Sequence, residues 1–172
     1  MTYLLLLPLS WAFTLLAIAL APVLPLFAKE DKLCFHWLPS WLWWFQTPDN
    51  SLEGDVGHSE RWMESTLPEY FQMVAWLLRN PAYGFEWTAL AVEPRGTVTV
   101  KGNPWIKNRD NAVAGWYFAT CDNAWNFKSV THLFRDLALQ LEFGWRLQPW
   151  EQGRGEGRAM YVFSVRLTAF NP

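Results

Sequence analysis

The sequence predicts an α+β protein. It should contain an N-terminal transmembrane or membrane-associated helix, an aromatic interfacial segment, one short buried helix, and then a five- to six-stranded antiparallel β meander forming a sheet or a partly open barrel. Three observations predict this. Residues 1–28 carry no Asp, Glu, Lys, Arg or His; residues 68–80 carry helix start and stop signals; and beyond residue 85 apolar side chains recur with a period of two. The expected division is a membrane anchor over 1–28, an interfacial aromatic segment over 29–47, and a β-rich domain over 48–172 with a helix near 68–80.

Composition limits the function classes. A chain of 172 residues suits one domain with something appended. A net charge of -2 offers neither the basic field that nucleic acid requires nor an acidic tail, so no nucleic-acid partner is expected. Thirteen tryptophans are several times an ordinary share, and indole suits membrane interfaces, aromatic cores and binding surfaces. Cys34 and Cys121 form no CxxC pair and no disulfide framework, which fits a reducing compartment.

The first run, "MTYLLLLPLSWAFTLLAIALAPVLPLFA", would reach about 40 Å as a helix, and roughly 20 residues cross a hydrocarbon core. An uncleaved anchor is the expectation. A signal peptide is the first alternative; Ala19-Leu20-Ala21 supplies small residues, but the basic n-region is missing and Pro22 would follow the cut. A buried or hairpin-inserted helix is the second. Pro8, Pro22 and Pro25 each remove a backbone donor, which predicts a kink or a helix shortened to about Leu4–Leu20. Lys29 and Lys32 follow the run and no basic residue precedes it, so the positive-inside rule puts the C-terminal bulk in the cytoplasm. Next, "LCFHWLPSWLWWFQTP" crowds Trp37, Trp41, Trp43, Trp44 and Phe45 beside the exit. Pro39 and the short length exclude an ordinary second span, and the indoles suit the headgroup zone, with a domain-core helix as the alternative.

In "PEYFQMVAWLLRN", Thr66 and Glu69 have capping-box spacing and Pro68 falls in the first turn. Val74, Trp76, Leu77 and Leu78 make the helix apolar over most of its circumference, which implies burial. Pro81 and Gly84 end it. "LALQLEFGWRL" is the clearest strand, with Leu137, Leu139, Leu141, Phe143, Trp145 and Leu147 on one face and Gln140, Glu142, Gly144 and Arg146 on the other. "YVFSVRLTAF" and "TVTVK" alternate similarly, "CDNA" reads as a hairpin turn between "AVAGWYFAT" and "WNFKSVTHL", and Trp87–Val92 is a further candidate strand. The long loop "PWEQGRGEGRA" is glycine-rich and charged.

The phrases "WWFQTPDNSLEGD", "LLRNPAYGF", "VKGNPWIKNRDNAVAG" and "FSVRLTAFN" together resemble a family of uncharacterised tailed-bacteriophage proteins that similarly begin with an apolar segment. The resemblance covers most of the chain from Trp43 onward. It implies a viral origin and action in a bacterial host, hence the host inner membrane as the bilayer, crossed once. It carries over no catalytic or ligand residue.

The acidic loop "PDNSLEGDVGHSE" is the main candidate site. Placed on an EF-hand calcium loop, Asp49 falls at position 1, Ser51 at 3, Glu53 at 5, Gly54 at 6, Val56 at 8 and Glu60 at 12. Ser and Glu replace the usual Asp or Asn at positions 3 and 5, Pro48 disfavours an incoming helix, and no second loop pairs with it. Alternatively Asp49, Asp55 and His58 bind a divalent metal, calcium or magnesium, with Glu60 or Glu64 as general base of a hydrolase. The simplest account is a turn: Asp49 and Asn50 favour an Asx-type turn, Gly54 and Gly57 give backbone freedom, and Ser59 caps a helix from Glu60. Arg79, Asn80, Asn103, Asn108, Arg109 and Asn111 concentrate polar groups near turns and form a second candidate ligand or interaction set, although asparagine commonly serves the local backbone. His132 and Cys121 have no local signature linking them as a catalytic pair. There is no phosphate-cradling glycine loop of the Walker or dinucleotide type, no HExxH and no GxSxG.

The leading expectation is therefore a membrane-tethered phage accessory protein, a non-enzymatic module binding a host or phage protein at the bilayer surface. A metal-dependent hydrolase or calcium-binding module using the acidic loop is the second. A virion component that inserts into the membrane during entry is the third.

Overall fold

The computed structural model describes residues 2–108, 111–147 and 158–171. The chain divides into two compact units, Met1–Ala89 and Leu90–Pro172.

The first unit is helical. Helix α1 (Thr2–Leu20) ends two residues before Pro22, whose ring leaves no donor to continue the ladder. Tyr3, Ser10 and Ala17 are its buried residues; a spacing of seven is close to two helical turns, so they form one stripe. A 3-10 turn follows at Leu24–Phe27, and two-residue strands β1 (Lys29–Glu30) and β2 (His36–Trp37) pair antiparallel. The aromatic segment then forms a 3-10 helix, Ser40–Phe45. Helix α2 (Val56–Trp62) starts earlier than Ser59 could cap it: Asp55 is the N-cap, and its Oδ1 accepts from the His58 amide at 2.7 Å. Helix α3 (Glu69–Arg79) has Pro68 as its N-cap with no side-chain cap, so the expected Thr66–Glu69 capping box lies out of frame.

Helix α4 (Tyr83–Thr88) replaces the start of the strand expected at Trp87–Val92. Ala82 adopts a left-handed φ of 61° after Pro81 and turns the chain into a new helix rather than extending it. Gly84 lets that helix approach the aromatic 3-10 segment: a Cβ there would lie 2.2 Å from the Trp43 carbonyl oxygen and 2.4 Å from that of Gln46. Ala21, Leu24, Leu38, Leu42, Leu52, Met73 and Leu77 form the unit's core. The Tyr70 hydroxyl donates to the Pro22 carbonyl just beyond the end of α1.

The second unit is an open five-stranded antiparallel sheet, not closed into a barrel. Its strands β3 (Thr99–Gly102), β4 (Gly115–Thr120), β5 (Trp125–Phe134), β6 (Leu137–Trp145) and β7 (Tyr161–Ala169) lie side by side in sequence order. This is the expected meander, and the Cys121 amide closes the "CDNA" turn onto the Ala124 carbonyl at 2.9 Å. Of the residues expected to add a strand, Val92 makes only an isolated bridge to Ala159. The long loop expected at 149–159 lies, except for Arg158 and Ala159, outside the described residues.

The alternation in β6 is as read, and at and just beyond its C-terminal end Trp145 and Leu147 are buried as expected, but over residues 137–144 the other face is the more buried one. Ala138, Gln140, Glu142 and Gly144 are buried, whereas Leu137, Leu139, Leu141 and Phe143 are only half-buried. For Glu142 and Asn126 hydrogen bonding accounts for the burial, whereas Gln140 Oε1 is buried with no hydrogen-bond partner among the described residues. Glu142 receives Arg146 at 3.0 and 3.2 Å, and Asn126 accepts from the Tyr117 hydroxyl at 2.9 Å while donating to the Phe143 carbonyl at 3.1 Å. Asn108 adds a bond of 2.6 Å to Thr168.

Candidate functional site

The apolar surface is assembled from α1 outward. Leu4, Leu5, Leu9, Trp11, Leu15, Leu16 and Ile18 are exposed, and only 17% of the helix's most apolar window is buried. By length and composition α1 can cross a membrane. Ser10 turns inward instead: its hydroxyl donates to Glu86 Oε1 at 2.8 Å, while the half-buried Thr14 donates back to the Ser10 carbonyl at 2.8 Å. Phe13 stacks between Phe85 at 4.1 Å and Phe45 at 4.9 Å, with Trp44 edge-on at 6.1 Å. Phe27 meets Trp41 edge-on at 5.8 Å. Trp41, Trp43 and Trp44 keep an exposed side, and the Trp43 indole donates to the Leu38 carbonyl at 2.8 Å. Trp37 instead sits in β2 with its indole on Asp31 Oδ2 at 3.0 Å. Asp31 also accepts from the Leu33 and Phe35 amides, and the Phe35 bond is the main reason that its carboxyl lies below the ordinary range.

The acidic loop distributes its side chains among separate partners. Residues 56–60 are helical, Asp49 is exposed, and Ser51 is buried. Asp55 caps α2 and stands 3.7 Å from Arg79, whose guanidinium lies over the Trp76 ring at 5.7 Å. His58 is buried, with Nε2 3.1 Å from the Gln72 carbonyl and its ring 5.2 Å from Trp76; burial pushes its imidazole below the usual value. Glu60 is exposed. Glu53 turns the other way, to His36 of β2, with Oε1 2.6 Å from Nδ1. Glu69, in the first turn of α3, brings a second carboxylate oxygen 3.8 Å from the same nitrogen. Among the described residues, His36, Glu53 and Glu69 form the one such group whose donor atoms all lie within 4.8 Å of one another. Sequence reasoning included Glu53 but missed His36 and Glu69, which stand 17 residues upstream and 16 downstream with no motif spacing to join them.

Within the asparagine-rich set, Asn80 and Asn103 bond the local backbone and Asn108 bonds a neighbouring strand. Asn80 caps α3 through the Trp76 carbonyl, Asn103 Oδ1 accepts from the Trp105 amide at 3.0 Å, Asn108 ties to β7, and Asn111 takes a left-handed φ of 65°. Arg109 lies outside the described residues. Arg79 and Asn80 belong to the first unit, and Asn103, Asn108 and Asn111 to the second. His132 stacks on Phe170 at 4.5 Å with Nε2 2.6 Å from the Arg135 carbonyl, while Cys121 lies near Asn123 Oδ1 at 3.6 Å.

In the sheet, burial lowers the Lys128 ammonium value and raises that of the Tyr117 phenol, which keeps Tyr117 a neutral donor to Asn126. The opposite face carries Trp116, Phe163, Val165 and Leu167 as exposed apolar residues; Phe163 packs on Phe143 at 5.1 Å.

No curated protein and no solved structure matches the chain. One family model, described as a family of unknown function, matches residues 1–171. The apolar helix, the aromatic segment and the sheet all fall within that match, and the chain accordingly belongs to the family of unknown function DUF7338.

Proposed function

We propose that this protein is a membrane-tethered accessory protein whose sheet unit is a non-enzymatic binding module at the bilayer surface. The observation that carries the reading is the outer arc of α1. Seven large apolar side chains face outward there, and moving them from water into hydrocarbon is favourable by on the order of 10 kcal/mol. A helix of 19 residues is about 28 Å long, close to the roughly 30 Å core of a bilayer. Ser10 finds its partner on the protein side and Thr14 on the helix's own backbone, so both hydroxyls are satisfied as lipid requires. The exposed indoles of Trp41, Trp43 and Trp44 add aromatic surface that suits lipid contact. The exposed apolar face of the sheet supports a protein partner over a small-molecule substrate. The resemblance to tailed-phage proteins supports the bilayer of a bacterial host, and Lys29 and Lys32 support a cytoplasmic placement of the bulk.

Alkaline carbonate extraction of membranes carrying the full-length chain tests the anchor. The protein should stay in the pellet and leave it only in detergent. Release by carbonate, or recovery in the soluble fraction without detergent, would overturn the reading.

A further inference from the structure

We propose that His36, Glu53 and Glu69 form a binding site for a divalent transition metal of the zinc class. The site goes beyond membrane tethering and does not depend on it. One imidazole nitrogen and two carboxylate oxygens are a borderline-to-hard donor set, suited to Zn²⁺ or Mn²⁺. The set is unsuited to Cu(I), which seeks thiolates, and it falls short of the six to eight oxygens that Ca²⁺ takes. Two donors on one zinc ion at about 2.1 Å with a tetrahedral angle stand about 3.4 Å apart. The His36–Glu53 separation of 2.6 Å would therefore open by about 0.8 Å once the hydrogen bond is replaced, and the His36–Glu69 separation of 3.8 Å would close by about 0.4 Å. Glu69, more than half exposed, has room to rotate inward, while Glu53, only 12% exposed, has to shift against its bond to the His36 ring.

The backbone around the donors is already fixed by hydrogen bonds, one of them made by a donor itself. The His36 amide donates to both Glu53 carboxylate oxygens at 3.0 and 3.2 Å, and the His36 carbonyl accepts from the Leu52 amide at 2.8 Å. The Glu53 carbonyl accepts from Gln72 Nε2 at 2.9 Å and Ser59 Oγ at 3.2 Å. Gln72 lies one turn beyond Glu69 on α3, so the bond that locks α3 to Glu53 also sets where Glu69 stands. Such outer bonds orient ligands in metal sites. Three protein donors leave a coordination position for water.

The test is calorimetric titration of Zn²⁺ into the chelator-treated full-length protein in detergent, with Glu69→Gln, Glu53→Gln and Asp49→Asn variants. One ion should bind per chain. Glu69→Gln should weaken binding at least about tenfold while leaving the metal-free melting temperature unchanged, since the loss of an outer-sphere partner alone costs about that much. Glu53→Gln should do the same to binding, and Asp49→Asn should not. Absence of zinc binding at about 100 μM, or binding that Glu69→Gln leaves intact, would overturn the site. Glu69 is exposed, so its variant remains informative even if Glu53→Gln fails to fold.

Discussion

Phe13 of α1 and Phe85 of α4 stack with ring centroids 4.1 Å apart and planes 13° from parallel. The contact lies one turn from the Ser10–Glu86 hydrogen bond, so an aromatic pair and a polar pair together fix the inner face of an otherwise apolar helix. The outer arc is left exposed.

Truncation of that stack should weaken the helical unit without releasing it from the membrane. Phe85 is buried, and Phe85→Ala should cost about 3–5 kcal/mol in denaturant unfolding of the detergent-solubilised protein. Carbonate resistance should persist, because the exposed leucines are untouched.

Gly84→Ala should be as harmful as a large core change despite adding one methyl group. Its Cβ would meet two backbone carbonyl oxygens closer than 3.0 Å, and backbone cannot swing away as a side-chain tip can. A loss of about 1–3 kcal/mol is expected, read as a lower melting temperature; an unchanged melt would show that α4 does not approach the aromatic 3-10 helix this closely.

His58 makes the helical unit acid-sensitive. Its folded value is depressed, chiefly by burial, so between that value and the ordinary one near 6.5 the unfolded chain binds the extra proton. Stability should be level above about pH 7, fall below 6.5 by at most about 1.4 kcal/mol per pH unit, and level off again beneath the folded value. His58→Gln should flatten that slope. A wild-type melting temperature independent of pH across this window would contradict the assignment.

Asp55→Ala removes the α2 cap and should cost about 1 kcal/mol. The exposed pair with Arg79 at 3.7 Å should add little, so Arg79→Ala should fall well short of that figure in the same unfolding assay.

Cys34 offers a native probe of orientation. The thiol is exposed, and a hydrogen bond from it to Glu30 raises its pKa, with the Glu30 charge adding to the shift. Labelling by a membrane-impermeant maleimide should therefore reach its plateau at higher pH than for an ordinary cysteine, and Glu30→Gln should move that profile to lower pH. With the bulk on the proposed cytoplasmic side, the label should react in sealed vesicles only when that face is outward.

The parts legible in sequence were those set by neighbours along the chain. The absence of charge over residues 1–28 marked α1, Pro22 its end, Pro68 the start of α3, and alternation from Leu137 to Trp145 a strand. Local signals failed where a distant partner outweighed them. Trp87 joined a helix whose Phe85 stacks on Phe13, and Glu142 lies inside because Arg146 pairs with it.

By itself the sequence determined that a long apolar helix precedes a meandering antiparallel sheet, since hydrophobic run length and side-chain period are properties of consecutive residues. Only the tertiary structure decided which arc of that helix stays bare and that His36, Glu53 and Glu69 meet. Their approach depends on a strand pairing, a turn and a helix start being docked together, and no spacing along the chain encodes that distance.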